Sequence, residues 1–327
     1  MDPLLLEIRQ LYGYELFFVE RILSGFLSEN YTLTDGTKKY FLKKHRHTDL
    51  KQVEGVCLAE QFFAEGGVPV ILPLTTHSGT YFFEQAGSFY SLYPFIEGRH
   101  IERGTLSEQA AVSLGTTLGV LHWRGRESRL PILEHFNAHD KEKFLTKAAA
   151  IEAEIAKKRS LSEFDALARI SLELKKRYVL ANTTPYEQLS LKSDTLIHGD
   201  YFCDNVFFNT QDHVSHVFDF EKTQYAPASY EMFRSLLVSF FSIPIEENLV
   251  HAKKYVNAYL AENPLSKEVV KDGLTAAFLK QIHSLWIEEE HYLKNSTRPD
   301  ELLPSQYALN EYYISNQKKI ENFLLSR

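Results

Sequence analysis

The residues with the clearest chemical potential lie in two short segments in the second half of the chain. Residues 198–205 read HGDYFCDN, and residues 217–221 read VFDFE at the end of a β-rich run. Asp200, Asn205 and Asp219 thus supply three oxygen-bearing side chains at the mouth of a β-hairpin. One carboxylate can accept the proton of an attacking hydroxyl, while an amide and a second carboxylate can hold Mg²⁺ against phosphates. This pattern predicts phosphoryl transfer.

These two segments resemble the aminoglycoside phosphotransferase and choline kinase group of small-molecule kinases, which share the fold of protein kinases. Residues 114–122, LGTTLGVLH, are similar to the LxxLH helix of that group, and a β-rich half precedes both motifs. The likeness runs from the strand pair near Ser24 to the carboxyl-terminal helices. It implies an α+β, bilobal, protein-kinase-like fold and transfer of the γ-phosphate of ATP to a small-molecule hydroxyl, with ATP and Mg²⁺ as cofactors.

The resemblance also implies roles for the loop residues. Asp200 becomes the catalytic base or the carboxylate that orients the substrate, and Asn205 and Asp219 become the metal ligands. His198 is expected to be structural, tethering the loop by a hydrogen bond rather than moving protons. Acidic residues at strand ends often only cap turns, but the joint spacing of these residues favours the catalytic interpretation.

The phosphate contacts of the nucleotide are expected from the β-rich half. Residues 40–44, YFLKK, resemble the third strand of the family, whose basic residue reaches the phosphates and is held by a helix carboxylate. We predict Lys43 for this role, with Lys44 on the opposite strand face as the alternative. For the carboxylate we predict Glu54, on the expectation that this register also places Leu58 inward; Glu60 is the competitor.

Two further segments are candidates for nucleotide contacts. Residues 24–31, SGFLSENY, carry a single Gly where protein kinases have GxGxxG, and Ser28 and Asn30 could donate hydrogen bonds to phosphate. An ordinary hairpin turn explains this loop almost as well. Residues 91–98, SLYPFIEG, resemble the hinge between lobes, where backbone groups near Tyr93 and Phe95 would pair with adenine.

The acceptor site is expected in the helical half. Trp286 and Glu290 lie four residues apart on a predicted helix and could bind a cationic amine, although a core Trp beside a surface acidic run is the commoner arrangement. Glu221 is a third candidate for substrate contact. Amino alcohols, amino acids, sugars and aminoglycosides all remain possible acceptors, because a fold does not select one.

The elements that must position these residues follow from hydrophobic periodicity. Between Tyr14 and His45 the pattern predicts three strands, then a helix over residues 50–64 and two more strands over 79–84 and 88–96. After Gly98 helical patterns dominate, with a β-like island between residues 195 and 218. We therefore predict a five-stranded antiparallel sheet with one main helix in an N-terminal lobe, residues 1–93, and a larger helical lobe, residues 94–327.

Composition narrows the function classes. Lys and Arg number 36 against 43 Asp and Glu, so the formal net charge is −7, which disfavours nucleic-acid binding. Two distant cysteines, Cys57 and Cys203, make neither a disulfide framework nor a zinc site, and the longest apolar run is too short to cross a membrane. We expect a cytoplasmic protein, and oligomeric state stays open.

Three other interpretations compete. A dinuclear phosphoesterase would need further Asp and His motifs that the β-rich half does not contain. A catalytically silent, kinase-like nucleotide-binding protein is disfavoured by the joint presence of Lys43, Asp200, Asn205 and Asp219. A protein kinase is disfavoured because the DFG glycine and an APE-like segment are both missing after Asp219.

Overall fold

The computed structural model describes residues 2–22, 30–241 and 246–326. Residues 2–94 are called the sheet part and residues 95–326 the helical part. Within its described residues, the sheet part holds two helices and one antiparallel sheet in the order β1-β2-β3-β5-β4. Its elements are α1 (Pro3–Tyr12), β1 (Phe17–Ile22), β2 (Asn30–Thr34), β3 (Lys39–Lys44), α2 (Leu50–Glu65), β4 (Phe83–Gln85) and β5 (Ser88–Pro94).

Side-chain alternation divides the central strands into two faces. Leu33, Leu42 and Leu92 point to one face, where they pack with Ile8 and Tyr12 of α1 in a buried cluster. The residues between them point to the other face. That second face is turned toward the helical part, so each central strand presents its alternate residues there.

Helix α2 is delimited by its end residues. The Asp49 side chain accepts a hydrogen bond from the Gln52 N–H at 3.2 Å, and the chain leaves the helix through Gly67 at a φ of +86°. Val53, Val56 and Phe63 form the inward face of the helix and are buried. This register decides which acidic residues of the helix can reach the site.

The helical part contains eight helices within its described residues and two small strand pairs. The helices are α3 (Glu108–Gly125), α4 (Lys141–Ala156), α5 (Glu163–Asn182), α6 (Ala228–Phe240), α7 (Glu246–Glu262), α8 (Lys267–Ile282), α9 (Trp286–Leu293) and α10 (Leu303–Leu325). The strands β6 (Thr195–Ile197) and β9 (Gln224–Ala226) pair with each other, as do β7 (Val206–Phe208) and β8 (Val214–Val217).

Helices α3 and α7 pack closely because α3 carries glycines on the shared face. A methyl group at Gly115 would lie 2.3 Å from the Tyr255 carbonyl oxygen, and one at Gly119 would lie 2.8 Å from the Tyr259 carbonyl oxygen. Only glycine allows this approach of the two backbones. None of the helices in the described ranges is long and apolar enough to span a membrane.

The predicted fold class is confirmed, with differences in detail. Strand β4 is shorter than expected, with three residues instead of six. The residues just before it form a turn, because the Thr76 hydroxyl oxygen accepts a hydrogen bond from the Thr80 N–H at 3.1 Å. In the region after Gly98, where helical patterns were predicted, α4 and α5 are separate helices, since Ser162 and Asp165 form a capping box that starts the second one. Strand β9 was not predicted. The predicted turn at Ser24 and Gly25 lies outside the described residues.

Candidate active site

A cleft of about 1680 Å³ lies between the sheet part and the helical part. The second face of the sheet forms one wall, through Phe41 and Lys43 among others. The loop 198–205 and the residues after β8 form the opposite wall, and helices α6, α8 and α9 extend the cleft away from the sheet. The predicted catalytic and metal-binding residues Asp200, Asn205 and Asp219 all line this cleft.

The loop 198–205 is held by the backbone contacts of His198. This imidazole is fully buried; its Nε2 lies 2.9 Å from the Phe218 carbonyl oxygen, and its Nδ1 lies 3.2 Å from the Asp200 backbone nitrogen. Burial keeps the pKa of His198 below its usual value, so the ring is neutral, with Nε2–H donating and Nδ1 accepting. His198 thus connects the backbone at Asp200 to the backbone at Phe218, which is a structural arrangement.

The turn at Gly199 makes this loop geometry possible. Gly199 has a φ of +86°, and a Cβ there would lie 1.8 Å from the Lys222 carbonyl oxygen. An L-residue with a side chain would meet both strain and overlap at this position. The glycine of the HGD motif therefore allows Asp200 to approach the segment after β8.

The Asp200 carboxylate is bound by two cations. Lys222 Nζ donates to its Oδ2 at 2.6 Å, and Arg234 Nη2 lies 2.6 Å from its Oδ1. Burial acts to raise the pKa of Asp200, but the charges of Arg234 and Lys222 outweigh it and keep the pKa below the ordinary value. The carboxylate is therefore ionised at neutral pH and faces the cleft.

Asn205 and Asp219 stand at the base of the β7–β8 hairpin. Asn205 donates from Nδ2 to the Asp200 carbonyl oxygen at 2.8 Å, so its amide oxygen is not used by this hydrogen bond. Asp219 has a φ of +69°, a conformation that Asp tolerates better than most residues. Such strained positions concentrate at functional sites. The arrangement gives two oxygen donors on adjacent loops.

Of the two candidate lysines, Lys43 and Lys44, it is Lys43 that faces the cleft. Its Nζ donates to Asp219 Oδ1 at 2.8 Å and lies 3.3 Å from Glu221 Oε1. Burial alone would lower the pKa of Lys43, but the nearby carboxylates raise it, so the ammonium stays charged. Lys44 is half-buried and outside the cleft wall, because neighbouring residues of a strand point to opposite faces.

The prediction of Glu54 as the partner of Lys43 is wrong in position. Glu54 is exposed, and Leu58, which was expected to point inward with it, is 38% exposed. Glu60 is the buried carboxylate of α2 that lines the cleft with Lys43. It accepts from the Tyr93 hydroxyl at 3.1 Å, and burial raises its pKa to about 8 despite the Lys43 charge. At about 100° per residue, residues 54 and 60 are separated by about 120° around the helix axis, so their side chains lie on different faces.

Glu221 also differs from its predicted place. Its carboxylate is buried and accepts from His45 Nδ1 at 2.6 Å and from the Arg46 N–H at 3.3 Å, beside Lys43. The pKa of Glu221 is lowered because Lys43 and His45 outweigh the effect of burial. Glu221 therefore connects the residues at the end of β3 to the helical part. Its carboxylate is engaged by these contacts and does not point at an acceptor.

The other predicted nucleotide contacts lie at the sheet wall, with one exception. Asn30 opens β2 opposite Lys43, is buried, and has a side-chain oxygen with no hydrogen-bond partner within the described part of the chain. Tyr93 and Phe95 line the cleft; the Phe95 N–H donates to the Lys39 carbonyl oxygen at 3.3 Å. Ser28 lies outside the described residues.

Trp286 and Glu290 line the far end of the cleft, as a role in acceptor binding requires. Trp286 is the first residue of α9 and is 37% exposed. Glu290 pairs with Lys294 at 2.8 Å along the same helix. The structure thus places both side chains in the cleft, with the carboxylate already partnered.

Sequence reasoning missed the acidic and basic residues of α6. Glu231 is fully buried: its Oε2 accepts from the His198 N–H at 3.0 Å and lies 2.9 Å from His122 Nε2. The LxxLH histidine, His122, is therefore linked to the loop 198–205 through Glu231. Arg234 lies one turn later and reaches Asp200. A signal existed, since charged residues inside an apolar helical stretch need partners.

Comparisons with known proteins identify the family and the fold. The family model for the phosphotransferase enzyme family matches residues 19–265. Among curated proteins, no sequence matches the chain. Among solved structures, the chain is similar to spectinomycin phosphotransferase in complex with ADP and spectinomycin, with a TM-score of 0.64, 14% identity, and coverage of 99% of this chain and 97% of that chain.

Two other solved structures have the same fold. Amicoumacin kinase in complex with AMP-PNP, Ca²⁺ and Ami has a TM-score of 0.64 and 15% identity over 98% of this chain and 94% of that chain. Choline kinase from Cryptosporidium parvum has a TM-score of 0.59 and 12% identity over 99% and 97%. At these identities the likeness shows the fold alone. Because the family model covers well over half of its length, the chain belongs to the phosphotransferase enzyme family.

Proposed function

We propose that this protein transfers the γ-phosphate of ATP to a hydroxyl group of a small molecule. The observation that carries the proposal is the meeting of four groups on one cleft: the Asp200 carboxylate, the Asn205 amide, the Asp219 carboxylate and the Lys43 ammonium. Phosphoryl transfer needs a carboxylate for the acceptor hydroxyl and positive charge on the phosphates. The sheet wall and the loop wall supply these from opposite sides.

The donor set fits Mg²⁺ that enters with its nucleotide. Asp219 and Asn205 offer two oxygen ligands, and Mg²⁺ in such sites completes its octahedron with phosphate oxygens and water. No group of three or more His, Cys, Asp or Glu residues arranged for a metal occurs within the described ranges. When bound, the metal would neutralise charge on the phosphates. Asp219 and Asn205 would hold it, and Lys43 would add a point charge to the phosphates.

Asp200 would act mainly by positioning. The Asp200 carboxylate is ionised and held by Lys222 and Arg234, so it can accept a hydrogen bond from an acceptor hydroxyl and aim it at the γ-phosphate. The transition state of phosphoryl transfer is loose, which demands orientation and charge neutralisation more than a strong base. The low pKa of this carboxylate suits that task.

Two broader features belong to the same proposal. We place the boundary between a nucleotide-binding lobe, residues 1–93, and a substrate-binding lobe, residues 94–327, next to the end of β5, because the sheet ends there. We place the protein in the reducing cytoplasm, since Cys57 and Cys203 are both free and buried. Amino alcohols, amino acids, sugars and aminoglycosides remain the acceptor classes of the general proposal.

Calorimetric titration with ATP tests the nucleotide and metal parts together. Wild-type protein should bind ATP more tightly with Mg²⁺ than with EDTA. The Asp219→Ala variant should lose at least about tenfold of the Mg²⁺-dependent affinity, about 1.4 kcal/mol. Asp194→Ala, which removes an exposed acid outside the cleft, is the matched control and should bind as wild type does. Equal affinity of the Asp219 variant and wild type would place the metal elsewhere.

A further inference from the structure

The end of the cleft beyond Asp200 has an excess of positive charge. We call it the acceptor end; its walls come from α6, α8, α9 and residues 296–309. Three cationic residues line this end, Arg234, Lys280 and Arg298. Glu290 is the acidic residue at this end, and its ion pair with Lys294, at 2.8 Å, already balances the charge of the Glu290 carboxylate. A cationic acceptor would therefore meet more repulsion than attraction here.

Arg234 has binding capacity that Asp200 does not use. The Asp200 carboxylate holds two cations, Lys222 and Arg234, at 2.6 Å each, so one negative charge faces two positive charges. Arg234 Nη1 is buried and has no hydrogen-bond partner among the described residues. The guanidinium lies 5.8 Å from the centre of the Phe202 ring, within the range of a cation–π contact. The planar fork of an arginine suits an anionic oxygen group.

Lys280 supplies a second cation without a carboxylate. Its Nζ donates to the Asn137 carbonyl oxygen at 2.5 Å and approaches that of Ala138 at 3.4 Å; no acidic side chain in the described ranges pairs with it. Burial lowers the pKa of Lys280, and the charges of Lys143, Lys147 and Arg234 lower it further. Arg234 and Lys280 thus repel each other across the acceptor end, and an anion between them would relieve the repulsion.

We propose that the acceptor carries, besides its hydroxyl, an anionic oxygen group, a carboxylate or a phosphate ester, bound by Arg234 and Lys280. The proposal rests on the proposed function, because Arg234 also touches the carboxylate assigned to the acceptor hydroxyl. It favours hydroxy acids, hydroxy amino acids and sugar acids or phosphates over amino alcohols and aminoglycosides. Lys222 Nζ is bound to the other oxygen of Asp200, Oδ2, at 2.6 Å, so Arg234 and Lys280 are the pair that distinguishes the acceptor.

Binding can be tested without turnover, because Trp286 lines the acceptor end. The chain has two tryptophans, so Trp123→Phe leaves Trp286 as the sole indole reporter. This protein, without nucleotide, is titrated with matched pairs: homoserine against 3-aminopropanol, gluconate against sorbitol, and glycerol 3-phosphate against glycerol. We expect saturable fluorescence changes with anionic members at concentrations at least tenfold lower than with their partners. The carboxylate and phosphate arms distinguish the two sources of the anion.

Charge variants identify the residues. Arg234→Gln and Lys280→Gln should each weaken anion binding at least tenfold, and Arg234→Lys should restore part of it. Lys157→Gln removes the same charge from a side chain that is 69% exposed and outside the cleft, and should bind as the parent does. Asp200→Asn should tighten anion binding, since it frees Arg234.

The outcomes separate this proposal from the proposed function. Preference for the amino alcohols, no saturable response to any anion, or equal affinities in the Arg234, Lys280 and Lys157 variants would overturn the anionic acceptor. Loss of Mg²⁺-dependent ATP binding in wild type would instead overturn the kinase assignment, whatever the fluorescence titrations show. The Arg234→Lys variant keeps the test decisive if Arg234→Gln does not fold.

Discussion

The buried Glu231 carboxylate links the helical core to the loop 198–205, and its replacement by Gln should destabilise the protein. Glu231 Oε2 holds the His198 N–H at 3.0 Å and His122 Nε2 at 2.9 Å, while Oε1 lies 3.5 Å from the Tyr201 nitrogen. Glutamine has the same shape. It keeps one oxygen acceptor but loses the charge and places an NH₂ group against a donor.

The magnitude follows from these contacts. Hydrogen bonds to a charged acceptor stabilise by about 1.5–3 kcal/mol, and neutral ones by about 0.5–1.5 kcal/mol. Two bonds that each weaken by about 1 kcal/mol give a loss of about 2 kcal/mol for Glu231→Gln. Glu231→Ala leaves buried donors unsatisfied as well, so we expect a loss of about 4 kcal/mol or more.

Urea unfolding at pH 7 measures this directly, with Glu127→Gln as the control, since Glu127 is an exposed acid at the end of α3 whose side chain is 60% exposed. The control should change the free energy of unfolding by less than about 0.5 kcal/mol. The turnover of Glu231→Gln should also fall, because the loop that carries Asp200 loses its anchor. A Glu231→Gln variant within about 0.5 kcal/mol of wild type would refute the reasoning.

Further predictions concern the loop turn and buried titrating groups. Gly199→Ala should lose at least about 2 kcal/mol of stability, because its φ is +86° and the new methyl would lie 1.8 Å from a carbonyl; Gly36→Ala, at a φ of +92° with nothing within 4 Å, should lose only about 1 kcal/mol in the same urea assay. Burial lowers the pKa of His283 to about 4, so below pH 6.5 the unfolded chain binds a proton that the folded chain refuses, and stability falls as pH drops toward 4. His283→Asn should flatten this fall by up to about 2 kcal/mol, whereas the exposed His213→Asn should not. Glu60 gives the opposite pH dependence: burial raises its pKa to about 8, so stability falls as pH rises from 4.5 through 8. The free energy of unfolding of Glu60→Gln should therefore rise relative to that of wild type by on the order of 2–4 kcal/mol between pH 5 and pH 9. Parallel unfolding curves for wild type and variant over this range would contradict that assignment.

The fold was predictable because its signals are local. Alternating apolar residues in β2 and β3 and helical spacing in α2 give the sheet and helix order without knowledge of distant contacts. The spacing of Asp200, Asn205 and Asp219 likewise carries its own information. These residues are close in sequence to the strands that position them.

The errors arise where a long-range contact decides the outcome. Helix periodicity alone does not say which face of α2 meets the sheet, so Glu54 and Glu60 could not be separated until packing chose the face with Phe63. Glu221 was expected near the acceptor, but its carboxylate is hydrogen-bonded to His45, which lies 176 residues away in the sequence. Arg234 reaches Asp200 from another element, and no local pattern reports such a pair.

The central claim is that the HGDxxxxN loop performs the chemical step, and the turnover of Asp200→Asn tests it most directly. Small hydroxyl compounds are screened for nucleotide consumption by wild type, and the variant is then assayed with the acceptor found. The variant keeps the shape of Asp200 but loses its charge, so kcat should fall by about 10²–10⁴-fold. Mg²⁺-dependent ATP affinity should stay within a few-fold, because Asn205 and Asp219 are unchanged. Near wild-type turnover by Asp200→Asn would contradict the account.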